Sequence, residues 1–273
     1  MKLTIVDVFA ETLYAGNQLA VVEDCAHLDD ATMQDIAREM NFSETTFVTA
    51  RHDGRATVRI FTPTTELPFA GHPTLGTAWV LAGGEGEYTL DLGVGPVRVT
   101  FADGLGWMEP PDVRFDGTFE PDKAAELVGL DVADLDPDYP LQFAQVGPKF
   151  ILIGVKTLDA LRRASLNGDL HADYLASGIG VQCVFVFSSD SYGEDADYAA
   201  RMFFHAGSVR EDPATGSANS AFAAYLKNLF GMGRTYVVDQ GVEMQRASRL
   251  YLEIGETNRV GGKVQPVAQG QFS

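Results

Sequence analysis

Two short stretches 140 residues apart contain residue types that can bind an anion and transfer a proton. Residues 212–218 read DPATGSA, and residues 72–78 read HPTLGTA. Each stretch begins with an ionisable side chain, continues with proline and has glycine at its fifth position. Because the offset is about half of the 273-residue chain, the repeat indicates two similar lobes that arose by duplication.

Further matches follow the same order along the chain, with offsets of 142, 138 and 131 residues. Small insertions in loops explain the drift in offset. One match alone could arise by chance, but four in the same order favour a true repeat. The additional matches are 58–61 with 200–203, 44–48 with 182–186, and 16–19 with 147–150.

Each of the first two stretches is predicted to open a helix whose first turn can hold an anion. Asp212 followed by Pro213 is typical of an N-cap and the first helical residue. Helices are therefore predicted over residues 213–227 and 73–81. The free backbone N–H groups of such turns suit a carboxylate, and the Ser217 hydroxyl can add a hydrogen bond. The alternative is a tightly packed helix start without a ligand. The predicted substrate-binding groups belong to Gly71, His72, Gly216 and Ser217.

His72 and Asp212 are predicted to face each other across one cleft, if the two lobes are related by an approximate twofold axis. A contact between them would fix the histidine tautomer and tune its proton affinity. The alternatives are a histidine on a surface loop and an aspartate that acts only as an N-cap.

Glu44 is the candidate for transferring a proton to and from carbon. It opens a predicted strand, with the apolar residues Phe47 and Val48 close behind it. Partial burial there can raise the pKa of its carboxyl toward the useful range. The alternative is an exposed glutamate at a strand end. Its predicted counterpart in the second lobe is Gln182, so only one lobe carries the acid.

The two cysteines, Cys25 and Cys183, lie away from both predicted helix starts. A racemase that uses one thiol from each lobe is therefore not expected. Neither cysteine belongs to a metal-ligand or CxxC spacing, so we expect no metal site and a reducing, cytoplasmic location.

The composition excludes several classes of function. The formal net charge of −18 argues against a nucleic-acid partner, because such binding needs a basic surface. No apolar run approaches the roughly 20 residues that a membrane span needs. No dinucleotide or P-loop motif is present. A helix-end field can still attract a small anion locally.

The order of predicted elements favours an α+β fold of two pseudo-symmetric lobes, each a curled, mostly antiparallel sheet around one central helix. An amphipathic helix is predicted at residues 30–40. The prolines at 110–111 mark the lobe boundary, because proline interrupts both strands and helices. The predicted lobes span residues 1–112 and 113–260, and a C-terminal strand at about 260–273 can join the first lobe.

Three stretches resemble the signature motifs of the PhzF-like family of phenazine-biosynthesis isomerases. They are residues 41–48 (NFSETTFV), 71–78 (GHPTLGTA) and 211–218 (EDPATGSA). The resemblance covers nearly the whole chain. It implies a diaminopimelate-epimerase-like fold, no cofactor, no metal and a homodimer.

The same resemblance implies roles for individual residues. Glu44 would be the general acid/base, and His72, Asp212 and Ser217 would be its partners in the active site. The family usually reads Gly-Asn-Pro where this chain has GNQ at residues 16–18. We expect that departure, outside the three motifs, to alter only the local loop.

These observations predict an isomerase that moves a proton on a small carboxylate-bearing substrate. One alternative is a metabolite-binding protein that has the cleft but no catalysis. Another is an epimerase that acts next to a carboxylate and uses Glu44 with Asp212 as its two bases.

Overall fold

The protein structure is a computed structural model, and it describes residues 1–272. Strands and helices are numbered separately along the chain. The strands are β1 (Lys2–Val8), β2 (Asn17–Glu23), β3 (Glu44–His52), β4 (Arg55–Phe61), β5 (Glu66–Leu67), β6 (Gly86–Leu92), β7 (Gly95–Ala102), β8 (Leu105–Met108), β9 (Arg114–Thr118), β10 (Gln142–Gln145), β11 (Lys149–Gly154), β12 (Cys183–Ser188), β13 (Tyr198–His205), β14 (Val209–Asp212), β15 (Arg234–Gln240), β16 (Ser248–Ile254), β17 (Arg259–Gly262) and β18 (Val264–Gln271). The helices are α1 (Asp30–Met40), α2 (Gly71–Ala82), α3 (Pro121–Leu127), α4 (Leu158–Arg163), α5 (Gly168–Ala176) and α6 (Gly216–Phe230), with a 3₁₀ turn at Val132–Asp134.

The strands form two halves with the same topology. The first half has the order β18-β1-β2-β3-β4-β6-β7-β8, and the second has β9-β10-β11-β12-β13-β15-β16-β17. In both halves the first two strand pairs are antiparallel and the third is parallel. The fourth pair is then antiparallel, the fifth is parallel, and the last two are antiparallel. The predicted α+β fold of two pseudo-symmetric, mostly antiparallel lobes is confirmed.

The two halves are joined into one continuous sheet. Strand β8 pairs with β17, and β18 crosses to pair with β1 at the edge of the first half. Strand β18 therefore lies on the sheet of the first half. Division of the chain after residue 112 stays a prediction, and the predicted strand to residue 273 extends one residue outside the described range.

One helix lies at the centre of each half. Helix α2 is buried from Gly71 to Ala78, and α6 buries most of its first ten residues. Neither helix has a polar face, as expected for a helix enclosed by a sheet on all sides. Phe222 of α6, for example, packs 4.4 Å from Phe187 between ring centroids. In contrast, α1 is amphipathic and buries only Met33 and Ala37 on the outer side of the sheet. None of the helices in the described range is long and apolar enough to cross a membrane.

The structure corrects the predicted start of α6. The helix begins at Gly216 with Thr215 at the N-cap position, whereas Asp212 ends β14. Asp212 accepts a hydrogen bond from the Thr215 hydroxyl at 2.6 Å, and its own carbonyl accepts one from Gln240 at 2.9 Å. These bonds hold the Asp-Pro segment outside the helix, so Asp212 is not an N-cap.

The two central helices meet at their N-terminal ends. A Cβ atom added to Gly71 would lie 2.5 Å from the Cα atom of Gly216, and one added to Gly216 would lie 2.8 Å from the Cα atom of Gly71. Real Cβ atoms do not approach backbone this closely, so both positions require glycine for reasons of space. The close approach sets the distance between the two lobes.

Substitution of Gly71 by alanine should therefore destabilise the protein. The new methyl group must push the two helix starts apart, and overpacking of this kind costs about 1–3 kcal/mol in the free energy of unfolding. Urea denaturation of Gly71→Ala and wild type measures this change. Gly270→Ala is the matched control, because no atom lies within 4 Å of its added Cβ. Equal losses in the two variants would contradict the steric explanation.

Candidate active site

A cavity of about 480 Å³ opens between the two halves at the helix starts. This volume lies within the range of small-molecule sites. All six residues predicted for the site contribute to its lining. They are Glu44, Gly71, His72, Asp212, Gly216 and Ser217.

Glu44 and His72 lie next to each other in this cavity. Glu44 is the first residue of β3, and His72 is the second residue of α2. The distance from Glu44 Oε2 to His72 Nδ1 is 3.5 Å, and the side chains are only 15% and 4% exposed. Glu44 Oε2 has no hydrogen-bond partner among the described residues. This oxygen is itself buried beside His72, and the small exposed part of the Glu44 side chain lines the cavity.

Asp212 is held by three donors. Thr215 Oγ1 donates to its Oδ2 at 2.6 Å, while Ser43 Oγ and Asn17 Nδ2 donate to its Oδ1 at 3.0 and 2.9 Å. Hydrogen bonds from three neighbours stabilise the ionised carboxylate. Asp212 therefore stays charged more readily than Glu44, which lacks such donors.

Asn17 connects Asp212 to His72, and sequence reasoning missed it. Its amide nitrogen lies 2.9 Å from Asp212 Oδ1, 2.9 Å from the Ala214 carbonyl and 3.2 Å from His72 Nδ1. An amide has only two hydrogens, and the two shorter contacts use both. His72 Nδ1 is then left to face Glu44. Asn17 itself follows the usual family pattern, and the departure lies at Gln18, so the expectation that this departure alters only the local loop stays a prediction.

The loop that carries Asn17 is fixed by Arg246. Its guanidinium donates to the carbonyls of Tyr14, Ala15 and Gly16 at 2.8 to 3.0 Å and forms an ion pair with Asp7 at 2.6 Å. These bonds join the start of β2 to the loop after β15. They position the amide of the next residue, Asn17, between Asp212 and His72.

Burial shifts the pKa of each ionisable group in the site. Burial, reinforced by the charge of Asp212, raises the pKa of the Glu44 carboxyl well above its ordinary value. Burial also raises the pKa of Asp212 to about 6, against the opposing effect of its hydrogen bonds. Burial lowers the pKa of His72 to about 3. At neutral pH the histidine is therefore neutral, and of the two carboxyls Glu44 retains a proton more strongly.

The two helix starts supply free donors to the same cavity. Neither helix has a side-chain cap. Within residues 1–272, no acceptor contacts the backbone N–H groups of the first two residues of either helix. Such groups carry the positive end of the helix dipole and suit an anion. The donors belong to Gly71, His72, Gly216 and Ser217.

The strand register corrects the predicted counterpart of Glu44. Glu44 pairs with Leu19 and Cys183 pairs with Phe150, and these two partners are equivalent in the repeat. Glu44 therefore corresponds to Cys183, not to Gln182. A shift of one residue moves a side chain to the other face of a strand, which is why the thiol points into the cavity that Glu44 lines.

The placement of Cys183 away from the site was therefore wrong, because it lines the cavity. Burial, together with the charges of Asp212 and Glu44, raises the pKa of its thiol to about 12. The thiol is neutral at physiological pH and a poor nucleophile or base. Cys25 is buried elsewhere and donates to the Val48 carbonyl at 3.0 Å. A mechanism with two thiolates finds no support in this arrangement.

The family model for phenazine biosynthesis-like proteins matches residues 6–270. The chain belongs to this family. A trans-2,3-dihydro-3-hydroxyanthranilate isomerase of Pseudomonas aeruginosa is 34% identical, over 92% of this chain and 89% of that protein. The predicted resemblance is confirmed, and the chain is a phenazine biosynthesis-like isomerase.

Solved structures agree on the fold. A PhzF-family phenazine biosynthesis protein of Bacillus anthracis has a TM-score of 0.87 at 24% identity, covering 100% of this chain and 99% of its own. A probable proline racemase of Agrobacterium radiobacter has a TM-score of 0.67 at 14% identity, covering 100% and 92%. At these identities the likeness shows the fold alone, and it confirms the epimerase-like two-lobed architecture.

Removal of the Asn17 amide should raise the pKa of Asp212 further. Asn17→Ala deletes one donor to the carboxylate. Since a hydrogen bond to a charged group contributes about 1.5–3 kcal/mol, the pKa should rise by about one to two pH units. Titration of the aspartate carboxyl carbons by ¹³C NMR measures the pKa, and the Asp212 signal is assigned from its loss in Asp212→Asn. Gln18→Ala is the control, since the exposed Gln18 side chain has no bond to Asp212. An unchanged pKa in Asn17→Ala would contradict the assigned role of Asn17.

Proposed function

We propose that this isomerase shifts a proton within a small carboxylate-bearing metabolite, without a cofactor, by general acid/base catalysis. The observation that carries the proposal is the placement of the Glu44 carboxyl, with Oε2 3.5 Å from His72 Nδ1, in the lining of the cavity at the two helix starts. One part of this cavity suits a carboxylate, and the other offers a carboxyl group that can exchange a proton with carbon.

In this proposal the substrate carboxylate binds to the helix starts. The backbone N–H groups of Gly71, His72, Gly216 and Ser217 donate to it, and the Ser217 hydroxyl adds a further bond. Each helix start carries roughly half a positive charge, so two facing starts offset the strongly negative net charge of the chain locally. The same donors stabilise the negative charge that develops on the substrate when a proton leaves carbon.

Glu44 then transfers the proton. Its ionised form takes a proton from one carbon of the substrate. The electron pair of the broken C–H bond moves into the neighbouring unsaturated system. The protonated Glu44 returns the proton to a different carbon, where a new C–H bond forms, so atoms and electrons balance. A raised pKa suits both steps, because it makes the carboxylate a better base.

His72 and Asp212 are proposed as partners of Glu44 in these steps. Neutral His72 can donate a hydrogen bond to ionised Glu44 or accept one from protonated Glu44. Asp212 stays ionised, and its charge keeps the pKa of Glu44 high. An epimerase in which Asp212 is a second base is the alternative that its own raised pKa favours.

Other parts of the proposal rest on the sequence and the family resemblance. We propose a cytoplasmic homodimer that acts on a small molecule, with no nucleic-acid or membrane partner. The lobes are proposed to divide after residue 112 and to be bridged by the C-terminal strand.

Substitution of Glu44 should abolish proton transfer and leave binding intact. Glu44→Gln keeps the size and removes the exchangeable acid, so the rate should fall by about 10²–10⁴-fold. The test substrate is trans-2,3-dihydro-3-hydroxyanthranilate, the ring carboxylate in the name of the Pseudomonas isomerase. Product formed in deuterated water is followed by NMR, with label expected at a new carbon only for active protein.

The matched control is Glu39→Gln, on the exposed face of α1, which should keep the wild-type rate. A rate near wild type in Glu44→Gln would contradict the proposal. Label in both stereoisomers at one carbon would favour the epimerase with two bases. Saturable binding without any exchange in the wild type would indicate a different carboxylate substrate or a site used only for binding.

A further inference from the structure

Two hairpins form opposite rims of the cavity. One joins β4 to β5, and the other joins β13 to β14. Each is closed at its base by a two-point ion pair between arginine and glutamate. Arg59 donates to Glu66 at 2.8 and 2.6 Å, and Arg201 donates to Glu211 at 2.9 and 2.7 Å. The arginines are equivalent in the repeat, so the two rims can be compared residue by residue.

The rims differ in length and charge. The first rim lies between Phe61 and Glu66 and contains four residues, 62–65, whereas the second lies between Phe203 and Glu211 and contains seven, 204–210. The first presents threonine and proline to the cavity. The second presents Phe204, His205, Ala206 and Arg210. The position directly before the clamping glutamate is Thr65 in the first rim and Arg210 in the second. The duplication has therefore left one neutral rim and one basic rim.

Arg210 lies on the cavity side of β14. Side chains alternate along a strand, so Arg210 shares a face with Asp212, while Glu211 between them points to Arg201. Arg210 is exposed and lines the cavity. No carboxylate forms an ion pair with it within residues 1–272. The other arginine in the lining, Arg246, is occupied by Asp7 and three carbonyls.

The free guanidinium at this rim has the opposite charge to the chain as a whole and to the carboxyl groups of the cavity. The chain carries a net charge of −18, and the cavity lining includes Glu44 and Asp212. Glu211 is neutralised by Arg201. Arg210 is thus left as a positive group at the mouth, distinct from the helix starts on the inner side. A guanidinium binds carboxylates through two parallel hydrogen bonds.

We propose that Arg210 binds a second carboxylate of the substrate, so that this isomerase prefers small dicarboxylates to monocarboxylates. The inference rests on the proposed function for the first carboxylate, which binds at the helix starts. The second carboxylate reaches the rim and pairs with Arg210. The seven-residue rim is then a specificity element of the second lobe, for which the shorter rim of the first lobe has no equivalent charge.

Binding of unreactive ring carboxylates tests this proposal. Benzoate has one carboxylate, whereas isophthalate and terephthalate have two at different separations. Isothermal titration calorimetry should show that one dicarboxylate binds the wild type about fivefold to tenfold more tightly than benzoate, as expected for a partly exposed charged hydrogen bond. Arg210→Gln should remove this preference and change the affinity for benzoate less than about twofold. Added salt should weaken the preference.

Arg234→Gln is the matched control. Arg234 is also exposed and without an ion pair within residues 1–272, but it lines a different, smaller cavity with Tyr139 and Tyr236. The Arg234→Gln variant loses the same charge at a different place, so it should keep the wild-type preference for a dicarboxylate over benzoate. A wild type that prefers neither dicarboxylate, or that binds none of the three compounds, overturns the proposal. So does an unchanged preference in Arg210→Gln.

The binding comparison needs no turnover, so it separates this proposal from the proposed function. Normal proton transfer in Glu44→Gln would overturn the catalytic role of Glu44. The preference for a dicarboxylate could still be measured by calorimetry. Conversely, a wild type that shows no preference for either dicarboxylate, with normal dependence of proton transfer on Glu44, would overturn the role of Arg210 alone. Loss of benzoate binding in Ser217→Ala would support the helix starts as the site of the first carboxylate.

Discussion

The close approach of two helix starts is the constraint on which the rest of the structure depends. Gly71 and Gly216 bring the backbones of α2 and α6 into contact, so the two lobes meet where both helices have unsatisfied N–H groups. The two halves of the sheet enclose this region, and burial shifts the pKa values of the carboxyls and the histidine. The positive helix ends and the buried acid are thus consequences of one packing contact. A wider separation would admit water and lower the pKa of Glu44.

Function in this fold depends on the differences between two similar lobes. The lobes share strand order, a central helix and an Arg–Glu clamp, but the equivalent positions carry different chemistry. Glu44 is equivalent to Cys183 in the repeat, and His72 is equivalent to Asp212. One lobe therefore supplies the candidate acid and the neutral histidine, and the other supplies a charged carboxylate and a neutral thiol. Such an arrangement favours a proton shift carried by one group over a symmetric exchange between two identical groups.

The sequence predicted the scaffold better than the details of the site. The repeat predicted two lobes and both central helices, and the periodic apolar residues predicted α1, because these signals extend over many positions. The roles of Asn17 and Ser43 could not be derived, because their contacts with Asp212 depend on how distant strands pair. The match of Glu44 with Gln182 was one residue out of register, and only the strand partners Leu19 and Phe150 correct it. The sequence predicted Asp212 as an N-cap because an Asp-Pro pair is typical of a helix start. Its bonds to Thr215 and Gln240 hold it outside the helix, which begins at Gly216.

Burial and the charge of Asp212 together raise the pKa of the Glu44 carboxyl well above its ordinary value. A ¹³C NMR titration of the glutamate carboxyl carbons measures this pKa, with the Glu44 signal assigned from its loss in Glu44→Gln. In the wild type the pKa of Glu44 should lie well above the ordinary value. In Asp212→Asn the pKa should fall, because the like charge is gone, but stay above the ordinary value because the group is still buried. An ordinary pKa in the wild type, unchanged in Asp212→Asn, would show that neither burial nor the charge of Asp212 raises the pKa of Glu44.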